Sequence, residues 1–206
     1  MSSKTHWESI YSSKPTNDLS WFQEYPETSL RLIRNTGVPC SASVIDVGGG
    51  ASTLVDALLL HGYSALTVLD LSGAALLAAK SRLGADAAKV QWLEADITAT
   101  QLPAYNYDVW HDRAVFHFLT SRADREAYLE AVLRAVKPGG HVIIATFAED
   151  GPTRCSDLPI VRYSAKELHA EFSSSFLLLH YEKEEHHTPR GTVQNFVYCC
   201  FRKAAS

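Results

Sequence analysis

The tract Val44-Ile45-Asp46-Val47-Gly48-Gly49-Gly50-Ala51-Ser52-Thr53 constrains the fold of this chain more than any other. Four residues suited to a buried strand run into three successive glycines. Glycine lacks a Cβ, so the backbone there can turn sharply and approach a ligand closely. Ser52 or Thr53 is placed to cap a helix whose apolar residues Leu54, Val55, Leu58 and Leu59 share one face, and Gly62 ends it. A strand, a glycine turn and a helix in that order open a nucleotide-binding unit.

The residues that follow repeat the pattern. Ser64 to Asp70 reads as a second strand ending in an acid, and Ser72 caps a helical run from Ala74 to Leu83 that Gly84 stops. Val90 to Glu94 is a third strand, with Asp96 and Ile97 just beyond it, and Tyr107 to His111 a fourth. Arg122 to Val136 has helical spacing, Lys137-Pro138-Gly139-Gly140 is a turn, and His141 to Thr146 is a fifth strand. Past Thr146 the rhythm changes. A polar loop spans Glu149 to Arg162, Ser164 caps a helix from Ala165 to Phe172, and Phe176 to Tyr181 and Val193 to Phe201 form two strands. The expected fold class is α/β, a doubly wound Rossmann-like sheet, mainly parallel, with an antiparallel C-terminal strand pair at the edge and helices on both faces. A chain of 206 residues suits one domain: residues 1–37 as an N-terminal helical and aromatic lid segment, 43–146 as a cofactor-binding core, and 147–206 as substrate loop, helix and closing strands.

A formal net charge of −4 with dispersed basic residues gives no footprint for a nucleic-acid backbone. The polar start and the absence of a long apolar run predict no secretory leader and no membrane span. Cys40, Cys155, Cys199 and Cys200 form no C-x-x-C pair, and adjacent strand cysteines point to opposite faces, so a reduced, cytoplasmic setting is expected. His186-His187 lacks further ligands at metal spacing and reads as a solvated loop, with Glu182 to Glu185 as an exposed strand end. Residues 5–25 carry Trp7, Tyr11, Trp21, Phe22 and Tyr25, more aromatic mass than a solvated tail holds. The rings either pack the segment on the domain or roof a ligand site, where a cationic ligand would gain from their π faces.

A glycine turn of this kind has two common uses. A dinucleotide brings a pyrophosphate to a helix N-terminus and spaces its glycines G-x-G-x-x-G. Here Thr53 holds the third glycine position, and Asp46 places a carboxylate where a dianion would sit. A cationic ligand suits Asp46 better, and S-adenosylmethionine carries both an ammonium and a sulfonium. Asp70 can accept from both ribose hydroxyls, and Asp96 from the adenine amino group with Ile97 over the ring.

Residues 43–146 resemble a class I S-adenosylmethionine-dependent methyltransferase core through VIDVGGG (44–50), VLDLS (68–72), EADI (94–97), YDVWHDRAVFHFL (107–119) and VKPGGHVIIATF (136–147). Trp7-Glu8-x-x-Tyr11, Trp21-Phe22, Asp112-Arg113 and His117-x-Leu119 are similar to two subgroups, the thiol and thiopurine methyltransferases and the lysine methyltransferases of elongation factors; Tyr163 to Leu168 is similar to the latter. His111-Asp112-Arg113-Ala114 stands where base-amine methyltransferases carry N-P-P-Y or D-P-P-Y, which argues against nucleic-acid substrates. The resemblance implies that Gly48, Gly49 and Gly50 with Asp46 and the His111 backbone hold the methionine end. It further implies that Asp70 with Leu71 holds the ribose, that Asp96 and Ile97 hold the adenine, and that Trp7, Tyr11 and Trp21 cover the cofactor. Candidates for chemistry on the acceptor are Asp112, Arg113 and His117, with His111 and Tyr11 as further possible bases. The expected activity is metal-independent methyl transfer to S, N or O of a small-molecule acceptor, releasing S-adenosylhomocysteine, by a monomer or weak dimer. The alternatives are a protein-lysine methyltransferase, an NAD(P)-dependent oxidoreductase, and a non-catalytic sensor of the cofactor.

Overall fold

In a computed structural model, which describes residues 4–172 and 174–205, a seven-stranded sheet is built in the order β3-β2-β1-β4-β5-β9-β8. Its parallel strands are β1 (Ser43–Val47), β2 (Ala65–Asp70), β3 (Val90–Glu94), β4 (Tyr107–Arg113) and β5 (Val136–Phe147). A separate two-stranded hairpin, β6 (Arg154–Cys155) with β7 (Leu158–Pro159), follows β5. The edge is closed by β8 (Phe176–His187) and β9 (Val193–Lys203), paired antiparallel to each other, with β9 antiparallel to β5. The chain order reverses between β1 and β4, and ligands of open α/β sheets bind outside the carboxyl ends of the strands at such a reversal.

Six α-helices accompany the sheet: α1 (Lys4–Ser13), α2 (Glu27–Asn35), α3 (Leu54–Leu60), α4 (Gly73–Leu83), α5 (Arg122–Ala135) and α6 (Ala165–Phe172). Side chains alternate across a strand, and β1 and β4 divide their residues between two cores accordingly. Ile45, Val47 and Trp110 pack with Tyr128 and Val132 of α5 and Leu168 and Phe172 of α6. Val44 and Val109 pack with Leu30 and Ile33 of α2, Leu54 and Leu58 of α3 and Leu76 of α4. Ser72 caps α4 by accepting from the Ala75 amide, and Ser164 and Glu167 form a reciprocal capping box on α6.

Several local expectations are corrected. The caps expected of Ser52 or Thr53 differ in detail: Thr53 sits at the N-cap of α3 but donates its hydroxyl to the Gln23 carbonyl (2.9 Å), while Ser52 accepts from the Leu54 amide (3.1 Å). The polar loop 149–162 contains the β6–β7 hairpin, whose two connecting residues, Ser156 and Asp157, both have positive φ (49° and 61°), as a tight hairpin turn requires.

β8 does not stop at Tyr181 but runs to His187, so the expected strand end is part-buried at Glu182 and Glu184 rather than exposed, and His186 and His187 are strand residues rather than a loop. Each of the inward ones has a tertiary partner. Glu182 pairs with Arg31, Glu184 accepts from Gln23 (3.2 Å), and the buried His186 contacts the Ser20 carbonyl through Nε2 (2.8 Å). Partners supplied by distant segments stabilise a strand that its own composition does not favour.

Candidate active site

The glycine tract passes over two acids. Gly48 has φ +70°, and its amide donates to the Leu69 carbonyl, tying the turn to β2. A Cβ on Gly49 would lie 2.4 Å from Oδ2 of Asp46, and one on Gly50 would lie 2.5 Å from Oδ2 of Asp70. Only bare backbone can run this close to both carboxylates. Arg82 of α4 fixes the exit of the turn, donating to the Ala51 (3.0 Å) and Ser52 (2.6 Å) carbonyls.

Two adjoining cavities open along the carboxyl edge. The larger, about 90 Å³, meets Val47 and Gly48, the β2 end at Leu69, Asp70 and Leu71, and Ala95 and Ile97 after β3. Its other side is formed by Trp7, Tyr11, Trp21, Arg113, Phe118 and Cys155. The smaller, about 50 Å³, includes Asp46, Gly48, Gly49, Ser52, Thr53, Ser29 and His111. Tyr11, Trp21, Gly48 and Arg113 border both.

The aromatic segment roofs the larger cavity. Trp7 meets Trp21 (5.8 Å) and Phe118 (5.1 Å) edge-on, and Tyr11 meets Trp21 likewise (6.1 Å); such offset contacts stabilise ring clusters beyond their burial. The irregular stretch carrying Trp21 is held by its carbonyls. Ser20 is contacted by His186, Trp21 by the Arg113 guanidinium (3.1 Å), and Gln23 by the Thr53 hydroxyl. Burial pushes the Tyr11 phenol far above its ordinary value, with the Asp70 charge adding. It also pushes the Cys155 thiol up to about 12. Both are neutral near pH 7.

Asp70 is 7 % exposed and accepts from the Ser72 amide (2.8 Å). Burial pushes its carboxyl up to about 7 against the pull of that amide, with the charges of Asp46 and Glu8 adding. Asp46 bonds His111 Nδ1 (2.7 Å), and Nε2 of that ring meets the Ser29 hydroxyl (2.9 Å). Asp96, half-buried, accepts from both the amide (2.8 Å) and the hydroxyl (2.6 Å) of Thr98, and it borders neither cavity, whereas Ile97 does.

The three residues expected to act on the acceptor are placed differently from one another. Arg113 borders both cavities, but its donors are engaged: Nε to Tyr198 (2.9 Å), one terminal nitrogen to Trp21 and the other to Glu184 (3.4 Å), with the guanidinium over the Phe196 ring (4.2 Å). Asp112 is fully buried on the α5 face and borders neither cavity. It accepts from the Val115 (2.8 Å) and Phe116 (3.1 Å) amides and the Tyr128 hydroxyl (2.6 Å), and burial pushes it up to about 6. His117 is also fully buried away from both cavities; its Nδ1 accepts from the Phe147 amide (3.3 Å), and burial lowers it to about 3, with Arg113 adding. A base or nucleophile must reach its substrate. Asp112 and His117, expected to act on the acceptor, lie in the core apart from both cavities.

Phe118, Cys155 and Glu8 are site or near-site residues that sequence reasoning missed. Phe118 and Cys155 carry no signal apart from the fold that folds them back on the sheet edge. Glu8 was visible only as part of W-E-x-x-Y. Among the described residues, no group of three or more His, Cys, Asp or Glu is arranged to hold a metal ion, and no helix is long and apolar enough to cross a membrane.

Residues 44–140 match the family described as a methyltransferase domain. The chain is 25% identical over 210 residues to human EEF1A lysine methyltransferase 2, covering 92% of this chain and 79% of that one. Among solved structures, a SAM-dependent methyltransferase from Methanosarcina mazei has a TM-score of 0.74 at 15% identity, covering 90% of this chain and all of its own (100%). The Burkholderia thailandensis 1,6-didemethyltoxoflavin-N1-methyltransferase, with its namesake ligand and S-adenosylhomocysteine bound, has a TM-score of 0.68 at 18% identity, covering 98% of this chain and 84% of its own.

Proposed function

We propose that this chain, similar to methyltransferases over residues 44–140 and in its fold, is a class I S-adenosylmethionine-dependent methyltransferase that methylates a heteroatom of a small-molecule acceptor enclosed beneath the aromatic roof. The observation that carries this reading is the cover itself. α1 and the Trp21 stretch close over the sheet edge with rings packed against one another and against Phe118. A small acceptor suits such a lidded pocket, while a residue on a folded protein needs an open rim.

The residues present fit the donor. Asp70 accepts from the ribose hydroxyls, and Leu71, Ala95 and Ile97 line an apolar slot for the adenine, with Asp96 at its turn. Asp46, the bare backbone of Gly48 to Gly50 and the His111 backbone face the amino-acid end. Trp7, Tyr11 and Trp21 cover the sulfonium, whose charge their π faces favour. The bound donor supplies a methyl group already activated on a positively charged sulfur.

The chain's own work is alignment and exclusion of water. Holding two reactants in line contributes up to about 7–11 kcal/mol. Asp70 is the one acid among the described residues bordering the larger cavity, and Tyr11 and Cys155 hold their protons, so no spare base faces the acceptor. An acceptor that arrives with a free lone pair suits this wall. Arg113 acts by holding Trp21 and Tyr198 in place, and Asp112 and His117 by bracing the turn that carries Phe118.

A lysine side chain on a protein is the second reading. The similarity to a lysine methyltransferase over most of both chains supports it, as does a ring cluster able to surround a cation. Incubation of the protein with methyl-labelled donor and a cell extract separates the two. Label in the small-molecule fraction is expected; label confined to the protein fraction would reject the first reading for the second.

A further inference from the structure

We propose that Glu8 is a latch, holding α1 over the donor site by gripping the N-terminus of α4. The first amides of a helix have no partner within it. Those of α4 are satisfied from outside: Oε1 of Glu8 accepts from Gly73 (2.6 Å), Oε2 from Ala74 (3.3 Å), and the Ser72 hydroxyl from Ala75 (3.2 Å). A carboxylate at this end of a helix also gains from the helix dipole.

The rest of α1 is held by the ring contacts of Trp7 and Tyr11 with Trp21 and Phe118. None of its residues is fully buried, and the ion pair of Lys4 with Glu94 is exposed on both sides; such surface pairs contribute little. Trp7 precedes the latch and Tyr11 follows it by one helical turn, and both rings border the cavity beside Asp70 and Leu71. Glu8 itself borders neither cavity. It is thus a positioning residue. Its grip fixes two roof rings, and its release lets the roof lift for exchange of donor and product. This inference rests on the donor assignment above.

The test breaks the latch from each side. E8A removes the carboxylate, E8Q leaves one accepting oxygen, and G73P removes the closer amide. Proline is tolerated in the first turn of a helix, Ser72 already has the extended backbone that a residue before proline requires, and the flexible Glu94 carboxylate, 2.6 Å from a Cβ at this position, swings aside. Displacement of S-adenosylhomocysteine is followed by stopped-flow fluorescence. E8A and G73P are expected to release it about tenfold faster than wild type, the loss of one charge-assisted bond pair, with E8Q between. KM for the donor should rise by a similar factor while kcat stays within about twofold. The E8A/G73P double variant should release no faster than the faster single one. Hydrogen exchange in residues 4–13 should slow on ligand binding in wild type but not in E8A. Wild-type release rates in both E8A and G73P, or effects that multiply in the double variant, would overturn the latch. A wild-type chain that binds no S-adenosylhomocysteine would overturn the donor assignment and the latch together.

Discussion

Strands β1 and β4 lie side by side with Asp46 opposite His111 and Val47 opposite Asp112, yet their two acids have different surroundings. Asp46 faces the α2–α3 side, bonds His111, and borders a cavity. Asp112, one register position on, faces α5, where Tyr128 and the Val115 and Phe116 amides surround it. Alternation along the strand decides which of two buried carboxylates borders a cavity and which accepts from the amides of the turn after β4. Proximity in sequence to a motif does not.

The largest expected effect comes from the brace. Asp112→Ala strands three donors in the core and should lower stability by about 3 kcal/mol, a few unsatisfied buried groups at about 1 kcal/mol or more each. Chemical denaturation measures it. Affinity of the folded D112A protein for S-adenosylhomocysteine should change less than about threefold. A large affinity loss with little loss of stability would reverse the comparison.

The reciprocal change is Asp46→Asn, which keeps an acceptor for His111 but removes the charge. It should leave the melting temperature near wild type and weaken S-adenosylmethionine binding by about 2 kcal/mol, the range of hydrogen bonds to charged groups. Isothermal titration calorimetry reads the affinity.

A third effect depends on pH. An unperturbed carboxyl gives up its proton near 3.8, but Asp70 in the fold holds its proton up to about 7. The folded protein therefore binds the extra proton between these values, and stability falls as pH rises across that window. Ionised Asp70 is the better partner for ribose hydroxyls and a cationic donor, so donor affinity should rise, about tenfold, between pH 6 and pH 8. Asp70→Asn should flatten both trends; an unchanged profile in the variant would assign them elsewhere.

The smallest expected effect is at Arg113. Lysine cannot span Tyr198, Trp21 and Glu184 together. Arg113→Lys should raise KM for the acceptor about threefold while donor affinity stays at the wild-type value. A fall in kcat at saturating acceptor would instead return Arg113 to the chemistry.

The glycine-turn side of the fold is legible in the sequence because its signals are local. Four strand residues before three glycines, an acid ending β2 and Ser72 before a helix each express a preference of the backbone at that position. The aromatic cover is not. α1 has no buried face to give it helical periodicity, and Glu8 finds its partners across 65 residues. Phe118 and Cys155 reach the cavity only once the short turn after β4 and the β6–β7 hairpin have folded back. The charged half of β8 reads as a frayed end until Arg31, Gln23 and Ser20 are set beside it. Strand parity, not distance from a motif, sets the face on which Asp112 lies.

The central claim is that acids along one sheet edge hold a cationic methyl donor, and calorimetry on Asp70→Ala tests it most directly. Wild type should bind S-adenosylmethionine and S-adenosylhomocysteine and not NADH, and D70A should lose about 1.5–3 kcal/mol of that affinity with its fold intact by circular dichroism. Equal affinity in D70A and wild type, or uptake of NADH in preference to either adenosyl compound, would contradict it.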